Sequence, residues 1–132
     1  MNKEEKSLLL KDLCARLPYR VKGIITYDKS NTTFTVEGID NNVLHLSDAE
    51  ECYVEDFKPY LRPMSSMTEE ERKEYNDIVK NTIDFYNCPK SEEICFFIML
   101  IDWLNAHHFD YRNLIEKGLA IAVTKENNPY DK

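Results

Sequence analysis

The spacing of the apolar residues changes twice along this chain, and those two changes constrain its fold more than any other feature. Leu9, Leu10, Leu13, Cys14 and Leu17 recur at steps of three and four, which is one stripe of an amphipathic helix. Pro18 ends that stripe, because the residue before a proline is pushed out of the helical region. From Val21 to Leu61 the pattern is that of short strands, and from Thr68 it is helical again. Within 132 residues this order predicts one α+β domain. Its parts are an N-terminal helix, a small bent antiparallel sheet, then two long helices and one short helix packed against the sheet.

Local signals place the elements. A helix is expected over 3–16, with Asn2 as its cap, Glu4 and Glu5 in the first turn, and Lys11 and Arg16 late. Val21, Ile24, Ile25 and Tyr27 read as a strand, followed by a polar turn at 28–31. Phe34 and Val36 share one face of the next strand, and Asp40-Asn41-Asn42 suits a tight hairpin to Val43. Cys52-Tyr53-Val54 reads as a fourth strand, then one helical turn, then Pro59-Tyr60-Leu61 as a last extended piece. Four or five strands within about 45 residues predict a small, strongly bent antiparallel sheet or a barrel, in an order that resembles SH3-like barrels by topology alone. The β-rich half therefore spans 19–61, the helical half 68–123, and a frayed tail 124–132.

Thr68 and Glu71 form a capping box that starts a helix running from 69 to about 86. Ser91-Glu92-Glu93 starts the next, through Asn105. Asp110 is expected to cap a short helix over 111–117, ended by Gly118 in a left-handed conformation, and 119–123 is apolar enough to close the fold as an extended segment.

Several function classes are disfavoured. A secretory signal needs an unbroken apolar stretch of about 7–15 residues, and Leu8-Leu9-Leu10 runs straight into Lys11 and Asp12. The longest apolar run, 94–101, is eight residues, whereas a membrane helix needs roughly 20. Cys14, Cys52, Cys88 and Cys95 contain no Cys-x-x-Cys spacing. Cys14 and Cys95 fall in apolar helical patterns, as reduced, buried thiols of a cytoplasmic protein do. Three glycines cannot build a phosphate-cradling loop, so no cofactor is expected. His107, His108 and Asp110 are the one dense group of potential metal ligands, but adjacent histidines diverge on a helix, so a polar helix end is expected there and no metal. No spacing of Cys with His or of paired carboxylates marks a catalytic residue, and a non-enzyme is expected.

Four strings carry a resemblance: LLLKDLCARLPY at 8–19, KPYLRPMSSMT at 58–68, LNAHHFDYR at 104–112 and EKGLA at 116–120. Together they resemble a group of small uncharacterised proteins of gut bacteria and their prophages, to which no activity is assigned. The resemblance implies a bacterial cytosolic setting and an origin on mobile or phage DNA. Residues 23–54 carry none of these strings.

Two surfaces are candidates for binding. Tyr60, Arg62 and Met64, stiffened by Pro59 and Pro63, together with Trp103, Phe109, Tyr111 and Arg112, have the aromatic and Arg character of protein interfaces. The competing reading puts Trp103 in the core and uses 60–64 to pin the sheet to the helices. Arg20, Lys22, Tyr27 and Lys29 interleave cations with aromatics and could stack bases and hold phosphates. Against them stand the nearby acids Glu50, Glu51, Glu55 and Asp56 and a net charge of −7, which disfavour nucleic acid. The leading expectation is an accessory protein that binds another protein. The alternative is a small nucleic-acid-binding β-barrel module, and an enzyme of unknown class comes third.

Overall fold

The computed structural model describes residues 1–84 and 90–130, with side chains described for 1–80 and 97–130. Helix α1 (Lys3–Arg16) starts at a reciprocal cap. The Glu5 amide donates to the Asn2 side chain at 2.8 Å, and the Asn2 amide donates to the Glu5 carboxylate at 3.2 Å. The buried face of α1 runs through Leu9, Asp12, Leu13 and Arg16, rather than through Cys14, which is exposed. That corrects the expected stripe: a charged pair occupies the place given to apolar groups, because its members neutralise each other.

A single 3-10 turn through Pro18 and a left-handed Arg20 (φ 59°) lead into the sheet. Strands β1 (Lys22–Ile25), β2 (Phe34–Asp40), β3 (Val43–Leu46), β4 (Glu51–Tyr53) and β5 (Phe57–Pro63) lie close to where the alternation put them. They are antiparallel in the order β4-β3-β2-β1-β5, and a register shift between Val36 and Gly38 bends β2 against β3. On β5, Phe57, Pro59 and Leu61 are buried while Lys58, Tyr60 and Arg62 are half-buried, the period of two that a one-sided core demands.

Two short strands from the C-terminal half then add to β5, both parallel to it. In β6 (Phe109–Asp110), Phe109 pairs with Arg62; in β7 (Ile121–Ala122), Ile121 pairs with Tyr60. The sheet is therefore mixed and open, with β4 and β6 at its two ends, and does not close into a barrel. The core lies where α1 meets the sheet: Leu9 and Leu13 pack with Val21, Ile25, Val36, Leu44, Val54, Phe57 and Leu61, and Leu114 and Leu119 complete it.

Helix α2 (Glu69–Asp84) begins at the expected box, with the Glu71 amide donating to the Thr68 hydroxyl at 3.2 Å and the Thr68 amide to the Glu71 carboxylate at 2.9 Å. Helix α3 spans Lys90–Ala106. The expected end of α2 near residue 86, Cys88 and the side chain of Cys95 lie outside the described residues. Among those described, no helix is long and apolar enough to cross a membrane.

Residues 111–117 form turns rather than the expected short helix. The Asp110 carboxylate does accept from the Leu114 and Ile115 amides at 3.0 Å each, but Asn113 at φ 60° breaks the run, and Gly118 follows at φ 76°. The expected frayed tail instead returns to the sheet as far as Tyr130. Its hydroxyl accepts from the Lys22 amide at 2.9 Å and donates to the Tyr60 carbonyl at 2.7 Å, bridging β1 and β5 where their direct pairing has ended at Gly23 and Pro59.

Gly23 sits in that pairing with no room for a side chain: a Cβ there would run into the Lys58 carbonyl oxygen and the Phe57 ring. Gly23→Ala is expected to destabilise the fold by about 1–3 kcal/mol, read as a lower urea midpoint. An unchanged midpoint would show that β1 and β5 can separate freely.

Candidate functional site

The polar residues that α1 buries gather others around them. Asp12 and Arg16 stand four residues apart on one face, both with side chains 0% exposed, and Arg16 Nε donates to Asp12 Oδ2 at 2.7 Å. Arg16 Nη2 donates to the Phe109 carbonyl at 2.6 Å. Arg112, just past β6, brings its Nε to 3.2 Å from Asp12 Oδ1, an ion pair without a well-aimed hydrogen bond. Both guanidiniums lie near the Tyr111 ring, at 5.0 and 5.3 Å from its centre, and the Tyr111 hydroxyl donates to Asn105 Oδ1 at 2.7 Å. Two arginines thus share one carboxylate, leaving an excess of positive charge.

A second cluster forms around Arg62. Its two terminal nitrogens meet the two oxygens of Glu71 at 2.7 Å each, a fork-to-fork pair that fixes both planes. These hydrogen bonds hold the Glu71 carboxyl down at about 2, overriding a burial effect of opposite sign. His107 Nδ1 lies 3.3 Å from the same carboxylate. The Arg62 guanidinium covers the Phe109 ring at 4.2 Å, and Trp103 lies 4.3 Å from the His107 ring and 5.7 Å from Phe109. Trp103 Nε1 donates to Glu74 Oε2 at 3.0 Å.

Two open depressions adjoin at Arg62. One, about 320 Å³, is lined by Arg62, Ala106, His107, His108, Asn128 and Tyr130; the other, about 610 Å³, by Arg62, Ser66, Val123, Thr124, Lys125 and Asn128. His108 stacks flat on Tyr130, with ring centres 3.6 Å apart and planes 9° from parallel. Burial first, then the cations Arg16, Arg62, His107 and Lys22, push the His108 imidazole down to about 4.

Among the residues proposed for protein binding, the structure brings Arg62, Trp103, Phe109, Tyr111 and Arg112 into these two clusters. Tyr60 and Met64 flank Arg62, both half-buried. Phe109 is fully buried beneath Arg62, unlike the surface position its aromatic character suggested. The nucleic-acid candidates are not brought together in the same way. Lys22 spends its ammonium on the Thr35 hydroxyl at 2.7 Å, whereas the exposed Tyr27 lines a hollow with Val43, Glu51, Cys52 and Tyr53, next to an acid. Arg20 and Lys29 are exposed in the turns at either end of β1. Of the suspected metal ligands, Asp110 is held by backbone amides and His107 faces Glu71, away from one another's chemistry. Asp12, Arg16 and Tyr130 carry much of this geometry and were not singled out as site residues, and Glu71 was read only as a helix cap; for the first pair, the i, i+4 Asp–Arg step on a helix that also buries Leu9 and Leu13 was the available signal.

Asp12→Ala would leave two arginines without their counter-charge and is expected to remove about 3–5 kcal/mol of stability, measured by urea denaturation. For His108, the fold favours the neutral ring while the unfolded chain takes up its proton near 6.5. Its contribution is therefore complete above about pH 6.5 and is lost as pH falls toward about 4. In a nuclear magnetic resonance titration the His108 ring is expected to change with a midpoint near 4; a midpoint near 6.5 would show the stack on Tyr130 to be open. Compared with family models, curated proteins and solved structures, the chain matches none, and its function is read from the geometry of the site.

Proposed function

We propose that this chain is a non-enzymatic accessory protein of bacterial cytoplasm, of prophage or mobile-element origin, that works by binding another protein. The resemblance of its sequence strings supports the setting, and the double depression at Arg62 supports the binding. In a chain of net charge −7, the groove is lined, among the described residues, by no carboxylate, and Lys125 supplies its cation, because Glu71 already meets the charge of Arg62 and burial keeps the His108 ring neutral. Such a lining suits an acidic, extended segment of a protein partner, with Asn128 and Thr124 to satisfy its backbone. Support for a non-catalytic role comes from the titratable groups, which are engaged in structural contacts. Glu71 is taken by Arg62, Asp110 by two amides and Asp12 by two arginines. The Cys52 thiol, buried and facing Asp56 and Glu55, is pushed up to about 12, out of nucleophilic range.

The test is capture with tagged protein from a bacterial lysate, run with and without nuclease and repeated with Lys125→Glu. A partner that survives nuclease and is lost with Lys125→Glu, while the variant's thermal melt is unchanged, supports the reading. Equal capture by both forms, or none by either, overturns it. Capture that nuclease abolishes would transfer the function to the alternative, a nucleic-acid-binding module.

A further inference from the structure

Residues 124–130 follow β7 and form neither helix nor strand. Most of their hydrogen bonds are local: Thr124 donates to Asn127, Asn127 to the Ala122 carbonyl, and the Tyr130 amide to Asn128. Every other hydrogen bond of this segment, among the described residues, passes through the Tyr130 hydroxyl, whose ring stacks on His108. That hydroxyl stands in a particular place. β1 and β5 pair Ile25 with Phe57, Ile24 with Lys58 and Gly23 with Pro59, so Lys22 falls opposite Tyr60. The Thr26 amide donates to the Asp56 carbonyl at 2.8 Å, and in an antiparallel ladder every second pair is bonded in this way. Lys22 and Tyr60 belong to that series. Their amide and carbonyl are the two groups that the Tyr130 hydroxyl joins, at 2.9 and 2.7 Å. The phenol therefore occupies one rung of the ladder. We propose that residues 124–130 are a releasable strap anchored by Tyr130, with an engaged form in which the hydroxyl fills this rung and a released form in which Lys22 and Tyr60 close it directly.

Release orphans neither backbone group, because the Lys22 amide and the Tyr60 carbonyl satisfy each other while the hydroxyl returns to water. The usual penalty for breaking a buried hydrogen bond is thereby avoided. What holds the strap down is the cover that the Tyr130 ring and His108 give each other. Thr124, Lys125 and Glu126 are exposed and add no ion pair to the body of the protein among the described residues. The strap matters to the groove because it supplies Thr124, Lys125, Asn128 and Tyr130, while the body supplies Arg62 and His107. An occupant that touches both walls binds the engaged form alone and holds the strap in place, whereas release dismantles the groove. This coupling rests on the groove being a binding site; the two forms of the strap do not.

Amide hydrogen exchange followed by nuclear magnetic resonance on the full chain tests this. Tyr130→Ala is expected to stay folded, with the cross-peaks of 124–129 at random-coil positions and the His108 midpoint raised from about 4. Its Lys22 amide is expected to exchange within about tenfold of the wild-type rate, because the Tyr60 carbonyl takes it over. Faster exchange overturns the proposal, since Tyr130 would then be a plain structural contact whose loss leaves the amide to water. Native cross-peaks for 124–129 in this variant overturn it as well. If Tyr130→Ala does not fold, the wild-type chain in urea decides. Cross-peaks of 124–130 are expected to reach random-coil positions at a lower urea concentration than those of β2 and β3, and loss of all of them together overturns the proposal. Neither measurement involves a partner, so the capture test with Lys125→Glu can fail while the strap stands, and the reverse.

Discussion

The buried pair of Asp12 and Arg16 is the constraint from which the arrangement of the two halves follows. A guanidinium with no exposed surface must have its charge met and its N–H groups accepted, or it would be expelled to water. Asp12 answers the charge within the same helix, but geometry leaves the other nitrogens pointing out of α1. The Phe109 carbonyl takes one of them, which obliges β6 to lie over the end of α1. Once β6 is there, its register beside β5 places Phe109 under Arg62. One ion pair in the first helix therefore decides where a strand 93 residues later must run.

Glu71 has a similar double function in the other direction. Its amide and carboxylate close the cap of α2 with Thr68, and the same carboxylate clamps Arg62. The start of α2 is thereby tied to the sheet, and the aromatic group of Trp103, His107 and Phe109 stacks behind that clamp. The groove owes its shape to this fixity: Arg62, its shared wall, is held in one orientation by a carboxylate that stays ionised far into acid.

What could be read from the residues divides along physical lines. Elements set by local chemistry were legible: the caps at Asn2 and Thr68, the alternation on β5, the hairpin at Asp40-Asn41-Asn42 and the break at Gly118 all act within a few residues. Elements set by distant partners were not. β6 has only two residues and no alternation to announce it; it is a strand because β5 offers an edge and Arg16 offers a donor. The turns at 111–117 read as helix because their propensity is helical, and the left-handed Asn113 overrode it. Phe109 looked like an interface aromatic for the same reason, since nothing local says that Arg62 will cover it. Of the candidate site, Arg62 and its surroundings were visible as a stiff, aromatic-bearing stretch, whereas Tyr130 was hidden in a segment whose composition suggests fraying.

The bridge from Lys22 to Tyr130 joins residues 108 apart, and the contact of Arg16 with Phe109 joins residues 93 apart. During synthesis, at about 5–20 residues per second, Arg16 would wait about 5–20 s for the carbonyl that it needs. The hairpins of β1 to β4 can zip within microseconds of being made, so a half-built sheet beside an Arg16 that still lacks an acceptor for its Nη2 must persist on the ribosome throughout that time. A chain of this design matures from its middle outward and is sealed by its two ends together, which makes the nascent protein, rather than the finished one, the form most exposed to proteases and chaperones.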